Sequence, residues 1–136
     1  MTARRLVYAI ATAIAVAVSL GSGVANLLRL DHIANDMARL GYPPYFMSVL
    51  GTWKVLGAIA IAAPRLSRAK EWAYAGMLFD LTGAAASRIA VADAIGAVLA
   101  PMIVALMVVA SWASRPPARR LAGQPSAGLA ARVEAA

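Results

Sequence analysis

Four long apolar runs, separated by short polar stretches, dominate the chain. Leu6 to Leu28 carries no charge and is long enough to cross a hydrocarbon core of ~30 Å at ~1.5 Å per residue. Phe46 to Ala63 is broken only by Lys54, and Trp72 to Ser87, extendable to residue 89, only by Asp80. Ala94 to Ala113 is uncharged, with Pro101 near its start, a position where membrane helices tolerate proline. The pattern predicts an all-α fold, a bundle of four transmembrane helices over about 6–28, 46–63, 72–89 and 94–113. Together these make a membrane domain of residues 1–114. Ser114-Arg115-Pro116-Pro117 stops the last helix. Residues 115–136 are small and basic, and read as a disordered cytoplasmic tail that cannot bury enough surface to fold alone. Arg4-Arg5 before an apolar run, and Gly23-Val24-Ala25 within it, also fit a cleaved signal peptide. The run is longer than a typical signal core, however, and no secreted domain follows it, so an uncleaved helix is the expectation.

Composition agrees with this pattern. Of 136 residues, 62% are hydrophobic and only 14% charged, with a mean hydropathy of +0.72; soluble domains carry roughly 25% charge. The net charge of +7 does not point to nucleic acid, because the cations flank the apolar runs and form no patch interleaved with aromatics. Their distribution is a topology signal. Arg4 and Arg5, then Arg65, Arg68 and Lys70, then Arg115, Arg119, Arg120 and Arg132 fall on one side, against Arg29, Arg39 and Arg88 on the other. By the positive-inside rule both termini are cytoplasmic. The loop from Arg29 to Tyr45, with His32 and Gly41-Tyr42-Pro43-Pro44-Tyr45, then faces outward.

The absence of cysteine removes disulfides, thiolate metal sites and cysteine nucleophiles, and one histidine cannot supply a multi-histidine centre. Ser48, Thr82 and Ser87 have no histidine base at a comparable depth, so no catalytic residue and no metal ligand is assigned and no independent enzymatic activity is expected. A redox role would require a non-covalent cofactor or a partner subunit.

The two charges inside apolar runs carry the chemistry. A lone charge at the bilayer centre costs at least ~2.5–3.5 kcal/mol, and such residues are functional candidates by default. Lys54 lies ~12 Å below Phe46 and Asp80 ~12 Å from Trp72 on an antiparallel helix, so the two fall within ~6 Å in depth and are expected to pair. Trp72, Gly76, Asp80, Ala84 and Arg88 share a helix face at four-residue spacing, with Gly83 and Ser87 beside it. Gly51, Lys54 and Ala58 share one on the preceding helix, and Ala9, Ala13, Ala17, Gly21 and Ala25 form a small-residue stripe on the first. The candidate ligand site is therefore Lys54, Asp80, Trp53, Gly51, Gly76, Gly83 and Ser87. The alternative is a buried salt bridge that only fixes register. Glu71 is expected to favour its helix N-terminus or pair with Arg68 or Lys70, and Arg88 is a second charge-pair candidate.

From about Gly41 to Asp93 the chain resembles the DoxX-like family of small bacterial four-helix membrane proteins. The resemblance rests on Gly41-Tyr42-Pro43, the run Gly51-Thr52-Trp53-Lys54-Val55-Leu56-Gly57-Ala58, Pro64, and Lys70-Glu71-Trp72-Ala73-Tyr74-Ala75-Gly76. Phe79-Asp80-Leu81-Thr82-Gly83-Ala84 then leads into Ser87 and Asp93. Where the family often carries a histidine after that serine, this chain has Arg88, which does not release its proton. The family name comes from a membrane subunit of a thiosulfate:quinone oxidoreductase, and other members are linked to redox-stress assemblies. The resemblance thus implies a bacterial inner-membrane subunit or scaffold associated with quinone chemistry, with a redox partner subunit and the lipid bilayer as partners and a homo-oligomer as a further option. A small-solute or proton-coupled transporter and a purely structural assembly factor are the alternatives.

Overall fold

The computed structural model describes residues 2–120; among these the chain is all-helical. Its elements are α1 (Ala3–Leu27), α2 (Asp31–Arg39), α3 (Pro44–Ala62), α4 (Ser67–Ala90) and α5 (Ile95–Ser114), followed by a 3-10 turn at Pro117–Arg119. The long helices pack in a closed order, α1 against α3, α3 against α4, α4 against α5 and α5 back against α1. Each long helix runs antiparallel to its neighbours. The start of α1 meets the end of α5 through Arg4 and Arg115, and the start of α4 meets the ends of both α3 and α5. One end of the bundle thus gathers the described chain termini, and α2 lies at the other.

Three helices, α1, α3 and α5, are long and apolar enough to cross a membrane. The fourth long helix, α4, spans 24 residues but carries Arg68, Lys70, Glu71, Asp80 and Arg88, which lowers its hydropathy. The predicted helix limits shift by only a few residues. α4 begins five residues earlier than expected, at Ser67, because Pro64 breaks the chain well before Trp72.

The loop between the first two long helices holds an unexpected helix. Leu30, Ile33, Ala34, Met37 and Leu40 recur at helical spacing, while Asp31, Asn35, Asp36 and Arg39 supply a polar face, so α2 is strongly amphipathic. Asp31 in its first turn and Arg39 in its last both complement the helix dipole. Gly41, at φ +84°, then turns the chain in a conformation that favours glycine, and Pro44 opens α3 at a position where a missing N–H costs nothing.

The packed interior is small. Ala15, Ala58, Ile61, Tyr74, Met77 and Val108 form its centre. The face of α1 that enters it is Ala11, Ala15, Ser19, Gly23 and Asn26, whereas Ala9, Ala13, Ala17 and Gly21 are exposed. The stripe expected at the interface is therefore the opposite one. Alanine is frequent enough on α1 to draw a four-residue stripe on both faces, and the polar Ser19 and Asn26 mark the buried one.

Gly23 and Gly51 let α1 and α3 approach closely. A Cβ built on Gly51 would lie 2.7 Å from the Gly23 carbonyl oxygen and 2.9 Å from Leu27 Cγ; one on Gly23 would lie 2.9 Å from Lys54 Cβ. Since helix association in lipid relies on such packing, Gly51→Val should destabilise the protein by about 1–3 kcal/mol through overpacking. Gly21→Ala, with nothing within 4 Å of the added carbon, should leave stability unchanged or slightly raised. Thermal unfolding of both variants in mild detergent checks this contrast.

Candidate functional site

Lys54 on α3 and Asp80 on α4 come together as expected, with Nζ 3.3 Å from Oδ2. They sit at mid-length of their helices, each about one-fifth exposed. The opening beside them is a groove of about 670 Å³ between α3 and α4. Leu50, Trp53, Leu56, Gly57 and Ala60 line it from α3, and Ala69, Trp72, Ala73, Gly76 and Met77 from α4. The ion pair is the charged feature of an otherwise apolar wall. From the pair the groove runs toward the terminal end of the bundle, where Ala60 and Ala69 close the lining. Trp53 and Trp72 flank it and are 69% and 83% exposed.

Of the residues expected at the site, Lys54, Asp80, Trp53 and Gly76 line the groove, while Gly51, Gly83 and Ser87 do not. Gly51 faces α1, as described above. Gly83 is exposed with nothing within 4 Å of a built Cβ. Ser87 lies seven residues beyond Asp80, where its hydroxyl is 2.5 Å from the Tyr42 hydroxyl and donates to the Gly83 carbonyl at 2.9 Å. Tyr42 in turn stacks on Phe46, tying the entry of α3 to the end of α4.

Glu71 pairs with neither Arg68 nor Lys70. Its carboxylate accepts from Arg115 Nη2 at 2.7 Å and from Trp112 Nε1 at 2.8 Å. The reason is the direction of its neighbours. Arg68 is exposed, and Lys70 turns inward until it is 1% exposed. Lys70 Nζ donates to the carbonyls of Ala60 (2.9 Å), Ile61 (2.5 Å) and Ala63, satisfying acceptors that the last turn of α3 leaves without an intrahelical partner. Lysine near a helix C-terminus also complements the dipole.

Arg115, expected at the start of a loose tail, is 1% exposed. Its guanidinium lies 5.0 Å from the Tyr74 ring centre and 5.5 Å from that of Trp112, and its carbonyl accepts from Arg4 Nη2. Beneath it, the Ser111 hydroxyl joins Thr12 at 2.6 Å and Tyr74 at 2.8 Å, linking α1, α4 and α5. Arg115, Arg119 and Arg120 thus hold the chain after α5 against the bundle. The rest of the expected tail, 121–136, lies outside the described residues.

Arg88 closes a ring of charges at the α2 end. It donates to Asp36 at 2.6 Å and Asp93 at 2.8 Å, and Arg39 donates to the same two carboxylates, each at 2.8 Å. The ring joins α2, the end of α4 and the turn into α5. Sequence spacing could not find it, because its members are up to 57 residues apart (Asp36 to Asp93). Hydrogen bonds from Arg39 and then Arg88 hold the Asp93 carboxyl down at about 2. Burial pushes Asp36 up, but hydrogen bonds from Arg39 and Arg88 outweigh it and leave Asp36 below its ordinary value.

Among the described residues no group of acidic or histidine side chains is arranged to hold a metal ion. The sequence profile of the DoxX-like family matches residues 10–111, about three quarters of the chain. Neither a curated protein nor a solved structure matches it.

The ring sets an acid limit on the docking of α2. Folded values depressed below the ordinary 3.8 mean that its contribution is complete above that value and is lost as pH falls toward about 2. Spin labels on Ala38→Cys and Ile89→Cys, both exposed positions in a chain without other cysteines, report the α2–α4 separation. The distance distribution should stay narrow from neutral pH to about 4 and broaden between about 4 and 2. Arg88→Gln should broaden it already at neutral pH. A distribution unchanged at the acid extreme would remove the ring's clamping role.

Proposed function

The chain belongs to the DoxX-like family, and from that footing we propose that it is a non-catalytic subunit or scaffold of a quinone-linked redox or oxidative-stress assembly. It resides in the bacterial cytoplasmic (inner) membrane, crosses it four times and keeps both termini in the cytoplasm. Three of the spans are the apolar helices α1, α3 and α5. α4 serves as the fourth because its charges are not spread through it. Arg68, Lys70 and Glu71 fall in its first turns, Arg88 falls in its last, and Asp80, the one deep charge, is paired. The excess of cations at the terminal end favours that end as cytoplasmic, whereas the α2 end balances Arg39 and Arg88 against Asp36 and Asp93.

The observation that carries the reading is the ion pair in the wall of an apolar groove that opens sideways. In a bilayer such a groove faces lipid, so its ligand arrives from the lipid phase. A ring with a polar oxygen suits it. The ring body would lie among Leu56, Gly57, Ala73 and Met77, and Lys54 would donate to the oxygen while Asp80 orients Lys54. In this reading the electrons come from a partner subunit.

The second reading is that the pair only joins α3 to α4 across the groove, as a register device. The two readings separate in a mutant series. Lys54→Met and Asp80→Asn each leave one uncompensated charge at depth and should lower the yield of folded protein; the double variant should recover it. If the groove is a site, mass-spectrometric analysis of extracts from mild detergent should find a quinone or other prenyl lipid with the wild type and lose it in the folded double variant. An identical lipid inventory in both would favour the structural reading.

A further inference from the structure

The hydrogen-bonding capacity around Lys54 and Asp80 narrows the ligand class, given the reading above that the groove holds a ligand. An ammonium has three donors and a carboxylate roughly four acceptor positions. Among the described residues each of these side chains has the other as its only polar partner. Both therefore present unused capacity at the groove, donors from Lys54 and acceptors from Asp80. Away from water such capacity is costly to leave unmet. A carbonyl oxygen meets only the donors. A hydroxyl meets both, accepting from the ammonium and donating to the carboxylate through a single atom.

Charge and shape add two further restrictions. The pair sums to zero, so a ligand with a net charge would bring an unbalanced charge against an apolar wall. The flanking side chains are indoles, Trp53 and Trp72, which favour the faces and edges of flat rings. Between them α4 offers Gly76, one turn before Asp80, and a Cβ built there has nothing within 4 Å. The missing side chain at Gly76 is therefore not required by helix packing; it leaves open space in the groove lining one turn from Asp80.

We propose that the groove selects a neutral, ring-bearing lipid-phase molecule with a free hydroxyl, of the phenol or hydroquinone type, and that Gly76 is the position that sets its fit. A carbonyl-only ring is the weaker ligand of the same site. A Cβ added at Gly76 meets no neighbour, so Gly76→Leu adds bulk at the groove, and it replaces glycine with a better helix former.

The test uses the full chain in mild detergent and two probes, a para-alkyl phenol and its methyl ether, which differ by one methyl group on the oxygen and by loss of the donor, titrated by native mass spectrometry. One hydrogen bond to a charged group corresponds to about a ten- to hundredfold difference in affinity, so the phenol should bind more tightly by that factor. Gly76→Leu should abolish phenol binding with its melting temperature unchanged or raised. Gly83→Leu, on the same helix but outside the groove, should keep it. Equal binding of phenol and ether, both lost in Gly76→Leu, would overturn the hydroxyl selectivity while leaving the groove as a ligand site. Selective phenol binding that persists in Gly76→Leu would overturn the role of Gly76. Failure of both probes to bind, or non-selective binding of both that persists in Gly76→Leu, would overturn this inference and the ligand-site reading together.

Discussion

A polar group inside a bilayer has no water to turn to, and this constraint organises the whole bundle. At the α3–α4, α4–α5 and α1–α5 contacts a polar side chain of one helix finds its partner on the other, whereas α1 and α3 meet by close packing. At the terminal end Lys70 holds the last carbonyls of α3, and Glu71 holds Arg115 and Trp112. At mid-depth Lys54 and Asp80 join α3 to α4. At the α2 end two arginines and two aspartates lock the short helix over the end of α4. Apolar packing supplies close contact between these tiers, with Gly23 and Gly51 as its tightest point.

The three tiers differ in what surrounds them, and that difference gives the middle one its functional interest. The terminal-end cluster is covered by Tyr74 and Trp112. The α2-end ring has four members, and each side chain meets two opposite charges, so the arrangement closes on itself. The middle tier has only two members and borders a groove. Arg88 belongs to the ring and not to the groove. It therefore bears on how α2 is held down, and leaves the chemistry beside Lys54 and Asp80 unaltered.

Much of this was legible in the sequence for a simple reason: depth along a membrane helix is one-dimensional. Counting residues from the aromatic ends of two apolar runs sufficed to place Lys54 against Asp80. Facing is harder, because it needs the rotation of each helix about its axis. That is why the wrong alanine stripe of α1 was expected at the interface, and why Gly51, Gly83 and Ser87 were grouped with the charged pair. Gly51 and Lys54 are three residues apart on α3, yet Gly51 turns to α1 while Lys54 reaches α4. Contacts between distant segments were out of reach altogether. Nothing in the spacing of Glu71 and Arg115 joins them, and Lys70 read as a surface cation because its acceptors are backbone carbonyls. The short helix α2 was visible in the period of its apolar residues. Its charged residues and the Gly41–Pro44 turn make the same stretch look like a plain loop.

The chain has two lysines, and the structure gives them opposite surroundings: Lys54 faces a carboxylate, and Lys70 faces backbone carbonyls. Solid-state NMR of protein labelled at lysine nitrogen and at aspartate and backbone carbon, in lipid bilayers, reads this difference directly. One ammonium nitrogen should show a short dipolar contact to an aspartate carboxyl carbon, and the other should show contacts to backbone carbonyl carbons alone. Loss of the aspartate contact on Asp80→Asn, with the Lys70 signal unchanged, would complete the predicted result. A spectrum in which neither lysine contacts a carboxyl carbon would contradict the pairing that joins α3 to α4 beside the groove.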